Sequence, residues 1–499
     1  MTHDYPLVRW RSLILLLILS AVVLSISLDT YPAVWFDEGY KANGARTLAE
    51  RGVYGTYTVN GYIPFDPGLS SGPVDMSLMA LTFATIGRGV MEMRLGSVLF
   101  TLLAVAALYT IAVQLYGRQA GLIIILFVLA FPAVGDTGFL LIGRQALSEP
   151  AALALIASGL AVWFADWKSY RWTVALAAGL LMGLGLLSKT QYAIALLPAI
   201  FFVSVVYSYW QRTHIVYFSI TLFTIVFVIG AWMGLGRILT PPEIAQENSA
   251  MLLDAIQTNL ITGLWGHTLT RIALVVISVM VLGAASAAWR LRNEGLNTIS
   301  QWAELTIVIF VSVMVFWHAL FSVGWPRYAY IGLVFSLLLV GKWVFNRLNT
   351  WWPGMMQQSR HLVALLVLVV LITNLGPVFL FQRDSGVEAI SDYIDNTIPS
   401  DAIIETWEWE LTALGDHWQY HLPHQRYLFE AIRQFSHEQR PAITLDYDPL
   451  QTNPDYLIVG PFANFTNIYD TATLYTHFEK VITIGEYRLY ERKQENTAL

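Results

Sequence analysis

The chain predicts a helical, multi-pass membrane body followed by a soluble α/β tail, and three observations carry that prediction. Of its 499 residues, 56% are hydrophobic and only 13% charged, and mean hydropathy is +0.54. That composition lies outside the range of ordinary soluble domains. Apolar runs long enough to cross a bilayer recur through the first 381 residues. Charge is also unevenly split, with 8 basic and 19 acidic residues from Arg383 onward against 21 and 16 before it. The expected division is therefore a membrane unit over 1–381 and an acidic extracytoplasmic unit over 382–499. There is no cysteine, which excludes a disulfide framework, cysteine-ligated zinc and a thiolate nucleophile. The tail has no basic stripe with interleaved aromatics, so nucleic acid is not an expected partner.

A spanning helix needs about 20 apolar residues, because the hydrocarbon core is about 30 Å thick and each residue rises 1.5 Å. Eleven segments meet or approach that length: Arg11–Leu28, Val90–Tyr116, Ala120–Gly135, Ala146–Ala165, Trp172–Leu187, Tyr192–Tyr209, Ile215–Gly234, Ile272–Trp289, Ala303–Val323, Tyr328–Phe345 and Leu362–Phe381. The first is read as an uncleaved anchor, since its apolar run exceeds a signal-peptide core and no Ala-x-Ala site follows. Sidedness follows from the excess of Lys and Arg in cytoplasmic loops. Arg9, Arg11, Arg118, Lys168, Arg171, Arg212, Arg290, Arg292, Lys342, Arg347 and Arg360 all fall on one set of connections. The alternate set is longer and contains acids: Asp29–Gly89, the turn around Asp136–Glu149, Leu235–Arg271 and the tail. Those face outward, in a multi-pass protein of the cell membrane.

Within the first outer loop, 29–89, Asp37–Arg51 has near-helical apolar spacing with Asp37 placed as an N-cap. Pro73–Ile86 is helical but too short to span, so the loop reads as an interfacial shelf. In the tail, Gly386–Thr397 reads as a helix. Ala402–Thr406, Ala442–Asp446, Tyr456–Val459, Lys480–Ile484 and Tyr487–Glu491 read as strands, the last two joined at Gly485-Glu486. No internal repeat is visible, which weakens a transporter reading.

The strongest local signal is Trp35-Phe36-Asp37-Glu38-Gly39, an acidic pair just past the first span among interface-loving aromatics. A carboxylate held there can act as general base on an acceptor hydroxyl or amine. The structural alternative is that Asp37 caps the shelf helix and Glu38 complements its dipole. His417, His421 and His424 fall at i, i+4 and i+7, but Pro423 interrupts the helix that spacing needs, so a metal is not expected there. His267 reads as a surface residue and His318 as a hydrogen-bonded bundle residue. Gly183, Gly185, Lys189 and Thr190 fall short of a phosphate loop because no glycine immediately precedes the lysine. Asn464-Phe465-Thr466 matches a glycosylation acceptor, relevant only in a host with that machinery.

Asp37-Glu38, Ser71-Gly72-Pro73, Arg94-Leu95, Leu115-Tyr116-Gly117-Arg118 and Arg327-Tyr328, in that order and sidedness, resemble the protein O-mannosyltransferase and lipid A aminoarabinose transferase superfamily, family 39-like enzymes of GT-C fold. The resemblance implies transfer of a sugar from a polyprenyl-phosphate-linked donor to an unknown extracytoplasmic acceptor. It makes Asp37 the catalytic base and Glu38 a neighbour that orients it or helps bind the acceptor. By the same resemblance Arg144, Lys189 and Arg327 approach phosphate, Glu149 approaches sugar or acceptor, and Tyr328 follows Arg327 in the motif. Glu149 stands where the family often has Asp, and the proline usual several residues beyond Tyr328 is missing. The structural alternatives are an Arg144–Glu149 pair at a helix start, and snorkelling Lys189 and Arg327. No nucleotide cofactor is implied, and a divalent metal stays open. Two other readings remain: a flippase using the same cations for binding alone, and a noncatalytic envelope scaffold.

Overall fold

The computed structural model describes residues 10–66, 72–134, 137–167, 169–211, 215–265, 271–322, 325–352, 359–381, 384–436 and 445–493. Arg9, Ser71, Gly135, Asp136, Lys168, Arg212, His267, Val323, Arg383 and residues 442–444, all named above, lie outside them.

Each expected span has a helix. In chain order the membrane helices are α1 (Trp10–Ser25), α4 (Val90–Tyr116), α5 (Arg118–Ala130), α7 (Ser148–Ala165), α8 (Trp172–Ser188), α9 (Ala193–Gln211), α10 (Ile215–Leu239), α12 (Arg271–Glu294), α13 (Ile299–Phe321), α14 (Tyr330–Trp351) and α15 (Ser359–Phe381). Among the described residues eight helices are long and apolar enough to cross a membrane unaided, while α1, α5 and α8 are shorter apolar helices. Glycine lets the central ones approach: a Cβ on Gly159 of α7 would lie 2.9 Å from the Ala178 carbonyl of α8, and one on Gly185 of α8 would lie 3.1 Å from the Ala152 carbonyl of α7. Chain reversals are equally tight, as at Gly117, whose φ of +83° ends α4.

The loops expected to face outward are more ordered than their sequence suggests. The first contains α2 (Phe36–Arg51), a hairpin of β1 (Gly55–Thr58) and β2 (Gly61–Pro64), and α3 (Val74–Thr85). Asp37 is not the cap of α2; Trp35 is, and both acids sit in the first turn, where the dipole favours negative charge. Short α6 (Phe139–Gly143) precedes α7, and the loop after α10 is mostly α11 (Pro242–Trp265), a helix not anticipated.

The tail forms a five-stranded mixed sheet in the order β4 (Tyr420–His421), β3 (Ile404–Thr406), β5 (Tyr456–Val459), β7 (Tyr487–Arg492) and β6 (Phe478–Ile484). β3 runs parallel to both its neighbours, and β7 antiparallel to β5 and β6. Its helices are α16 (Val387–Thr397), α17 (Leu411–Leu414), α18 (Gln425–Ser436), α19 (Pro461–Thr466) and α20 (Thr471–His477). The described part of the expected strand at Ala442–Asp446 is not in the sheet.

The first loop is a middle layer between bundle and tail, where the sequence suggested a surface shelf. α2 and the tail share one apolar core, in which Phe36 stacks on Phe462 at 4.0 Å and Tyr40 meets Trp409 edge-on at 4.5 Å. Arg46, fully buried, donates to the carbonyls of Thr412, Asp416 and His417. Gly39 sets the approach, because a Cβ there would lie 2.1 Å from the Glu410 backbone nitrogen. Gly39→Ala should therefore lift the tail from α2 and cost about 1–3 kcal/mol. The check is a lowered melting temperature together with faster proteolysis within 382–499.

Candidate functional site

Where α2, the starts of α7 and α14, the end of α8, α11 and the tail meet, they enclose a cavity of about 570 Å³. Trp35, Phe36, Asp37, Tyr40 and Lys41 line it from α2 and its cap. Gln145, Leu147 and Glu149 line it from the approach to α7, Lys189 from the end of α8, and Trp325, Pro326, Arg327 and Tyr328 from the turn entering α14. α11 supplies Met251, Leu252, Ala255 and Thr258, and the tail roofs it with Gln425, Leu428, Phe429, Phe462 and Phe465.

The charges on the cavity wall are interlocked. Arg327 Nη2 donates to Asp37 Oδ2 at 2.6 Å and places its Nε 3.7 Å from Glu149 Oε1. Lys189 Nζ lies 3.0 Å from the same Glu149 oxygen and 5.4 Å from the Tyr328 ring centre. Glu149 is buried between the two cations, whereas the Asp37 side chain keeps 35% of its surface open to the cavity. Asp37, Glu149, Lys189, Arg327 and Tyr328 thus converge from four separate stretches of chain.

Glu38 and Arg144, expected beside them, do not line the cavity. Successive helical residues point about 100° apart, so with Asp37 inward Glu38 faces the protein. There it accepts from Arg94 Nε at 2.9 Å, Arg94 Nη2 at 2.7 Å and the Ala146 amide at 2.7 Å, while Arg94 Nη1 donates to the Leu28 carbonyl. Arg144 is spent on the end of α1, donating to the carbonyls of Val23, Ile26, Ser27 and Tyr31. Val23 lies in the last turn of α1 and Ile26 and Ser27 just past it, where carbonyls have no partner within the helix.

Several cavity residues were not singled out by sequence. Lys41 is one turn after Asp37, so the i,i+4 rule puts it on the same face of α2; it bonds Ser148 Oγ and lies 3.4 Å from Asp75 Oδ2. Tyr40 donates to Asp66 at 2.5 Å, and Thr56 joins the same oxygen at 2.9 Å. Burial beside that carboxylate pushes the Tyr40 hydroxyl well above its ordinary pKa. No short-range pattern links Tyr40 to Asp66.

A divalent cation needs several convergent oxygen or nitrogen ligands. Each cavity carboxylate is already engaged, and no group of three His, Asp or Glu that could hold a metal occurs among the described residues. His417, His421 and His424 lie apart, bonded to the Ala402 carbonyl, Glu405 and Glu247 respectively.

The family model for dolichyl-phosphate-mannose-protein mannosyltransferase matches residues 70–232, about a third of the chain. No curated protein matches the sequence. ArnT from Cupriavidus metallidurans bound to undecaprenyl phosphate superposes with a TM-score of 0.66 at 14% identity, covering 96% of this chain and 97% of that one. This is the GT-C fold. The same ArnT in the apo state gives 0.64 at 15% identity, with the same coverage. An Archaeoglobus fulgidus oligosaccharyltransferase tethered to an acceptor peptide gives 0.53 at 12%, covering 97% of this chain and 74% of that one.

Below the cavity roof of this GT-C chain lies a pair of buried carboxyls. Glu408 accepts from the amides of Gly460, Phe462 and Ala463, which open α19, and Tyr487 donates to Glu410 at 2.8 Å. Burial raises Glu408 to about 7, and burial with the neighbouring Glu408 charge raises Glu410 well above its usual value. Folded, both keep protons that the unfolded chain releases near the ordinary 4.5. Their stabilising share is complete below that pH; that of Glu408 is lost as pH rises through about 7, and that of Glu410 as pH rises through its own raised value. Glu410→Gln should raise the melting temperature relative to wild type at pH 8 and change it little at pH 4, measured in parallel melts.

Proposed function

We propose that this protein transfers a sugar from a polyprenyl-phosphate-linked donor to an extracytoplasmic hydroxyl or amine, with Asp37 as general base. The observation that carries it is the Asp37–Arg327 contact at 2.6 Å inside a membrane-edge cavity that also holds Lys189 and Glu149. The ArnT match, whose bound ligand is undecaprenyl phosphate, supports the donor class. The basic connections fall at the helix ends opposite this cavity, which supports an outward-facing site.

In the reaction the acceptor oxygen or nitrogen bonds to the sugar's anomeric carbon as that carbon's bond to the phosphate oxygen breaks. The leaving electron pair stays on the lipid phosphate, and the acceptor proton passes to Asp37. Arg327 and Lys189 face the growing negative charge as fixed donors, the largest single contribution in such transfers. Glu149 holds both cations in place. Arrival of the donor phosphate gives Arg327 a second anion and loosens its hold on Asp37. Residues 1–381 supply this chemistry, and 382–499 roof the acceptor side. The buried Glu38 acts as a positioning residue for Asp37, and Arg144 for the end of α1. No step is routed through a metal.

Asp37→Asn should lower transfer by about 10²–10⁴-fold while polyprenyl phosphate binds as tightly as before or more tightly, since Arg327 is released. Arg327→Gln should weaken that binding. A purified-protein assay of donor turnover, paired with lipid-phosphate titration, reads both. Unchanged turnover in Asp37→Asn contradicts the base assignment, and turnover that stays at background in wild type with intact binding favours a flippase.

A further inference from the structure

The membrane face opposite the cavity carries a second feature, independent of sugar transfer. α12 and α14 are pinched together at mid-membrane, where a Cβ on Gly283 would lie 2.8 Å from the Ser336 carbonyl oxygen, and Ser336 Oγ donates to the Val279 carbonyl at 2.9 Å. Past the pinch the two helices part around a hollow of about 270 Å³, with Ser286, Arg290, Trp343, Asn346, Arg347 and Thr350 on its wall.

The two arginines differ. Arg290 is matched by Glu304, with Glu294 a further 3.9 Å contact, so its charge is balanced. Arg347 lies over Trp343 at 5.8 Å and Trp351 at 5.9 Å, its i−4 and i+4 neighbours, and among the described residues it pairs with no carboxylate. Lys342 similarly lies over the rings of Tyr116 and Phe345. Trp343 and Trp351 are 40% and 62% exposed, as indoles at a lipid–water boundary are.

A cation held over indoles at that boundary, beside a hollow with a neutral amide and hydroxyls, has the chemistry to take a phosphodiester. The membrane supplies that group at this depth, and basic pockets between helices bind anionic headgroups. We propose that the hollow binds the phosphate of an anionic phospholipid, with Arg347 supplying the charge and Asn346 a neutral donor. The site is too small for a whole lipid, so the acyl chains lie outside along α12 and α14.

Native mass spectrometry of the full chain in mild detergent, with phosphatidylglycerol or phosphatidylcholine added, tests this. Wild type should retain phosphatidylglycerol preferentially. Arg347→Gln should weaken that retention about five-fold, the worth of one basic residue near an anionic surface. Arg292→Gln, on the same face outside the hollow, should leave it unchanged, and unaltered melting temperatures show both variants folded. Equal retention of the two lipids by wild type, or equal loss in both variants, overturns the site. Inorganic phosphate bound through Arg347 with no retention of phosphatidylglycerol overturns the lipid assignment and points to free phosphate.

Discussion

The buried ion pair between Glu38 and Arg94 is the constraint on which the rest of the outer architecture depends. Both side chains are wholly excluded from solvent. Breaking such a pair leaves an uncompensated charge and costs about 3–5 kcal/mol, so α2 has one acceptable orientation on α4. The same carboxylate holds the Ala146 amide, and the same guanidinium holds the Leu28 carbonyl, so four segments meet at one point. Asp37 is the adjacent residue. Its direction into the cavity is a consequence of where Glu38 has to go.

Cation-carboxylate matching then sets the resting state. Arg327 reaches Asp37, and Glu149 ties Arg327 to Lys189. An anion can enter this arrangement only by competing with carboxylates already there. In the proposed reaction a charged lipid phosphate, unlike a neutral lipid, offsets the loss of the existing contacts. The tail contributes aromatic surface, with Phe462 and Phe465 packed against Trp35 at 5.5 and 5.6 Å. Glu408 holds the start of α19, which carries that surface, through the amides of Gly460, Phe462 and Ala463.

The spans were legible because hydropathy over about 20 residues is set by the bilayer itself. α11 was missed because Glu243, Glu247 and Asp254 give it the look of a polar loop, although its apolar face closes the cavity. The β1–β2 hairpin was not read; its turn is Val59-Asn60, and Gly61, at a φ of +97°, opens β2. His421 lies in β4 and His417 in the stretch before it, so the i, i+4, i+7 spacing is not helical, as Pro423 already argued. In the site, Asp37, Glu149, Lys189 and Arg327 were readable as charges at the outer ends of apolar runs. Which neighbours face the cavity was not, since one-residue offsets on a helix decide between Asp37 and Glu38. Arg144 was read as a phosphate ligand because a guanidinium satisfying backbone carbonyls leaves no trace in the sequence around it.

In the proposed reaction Asp37 and an incoming phosphate compete for Arg327. A structure of the full chain with bound polyprenyl phosphate tests that competition. Phosphate oxygens should lie within hydrogen-bonding distance of Arg327 and Lys189, with the Asp37 carboxylate separated from Arg327 and turned toward the open cavity. Phosphate bound away from both cations, with the Asp37–Arg327 contact intact, would contradict it.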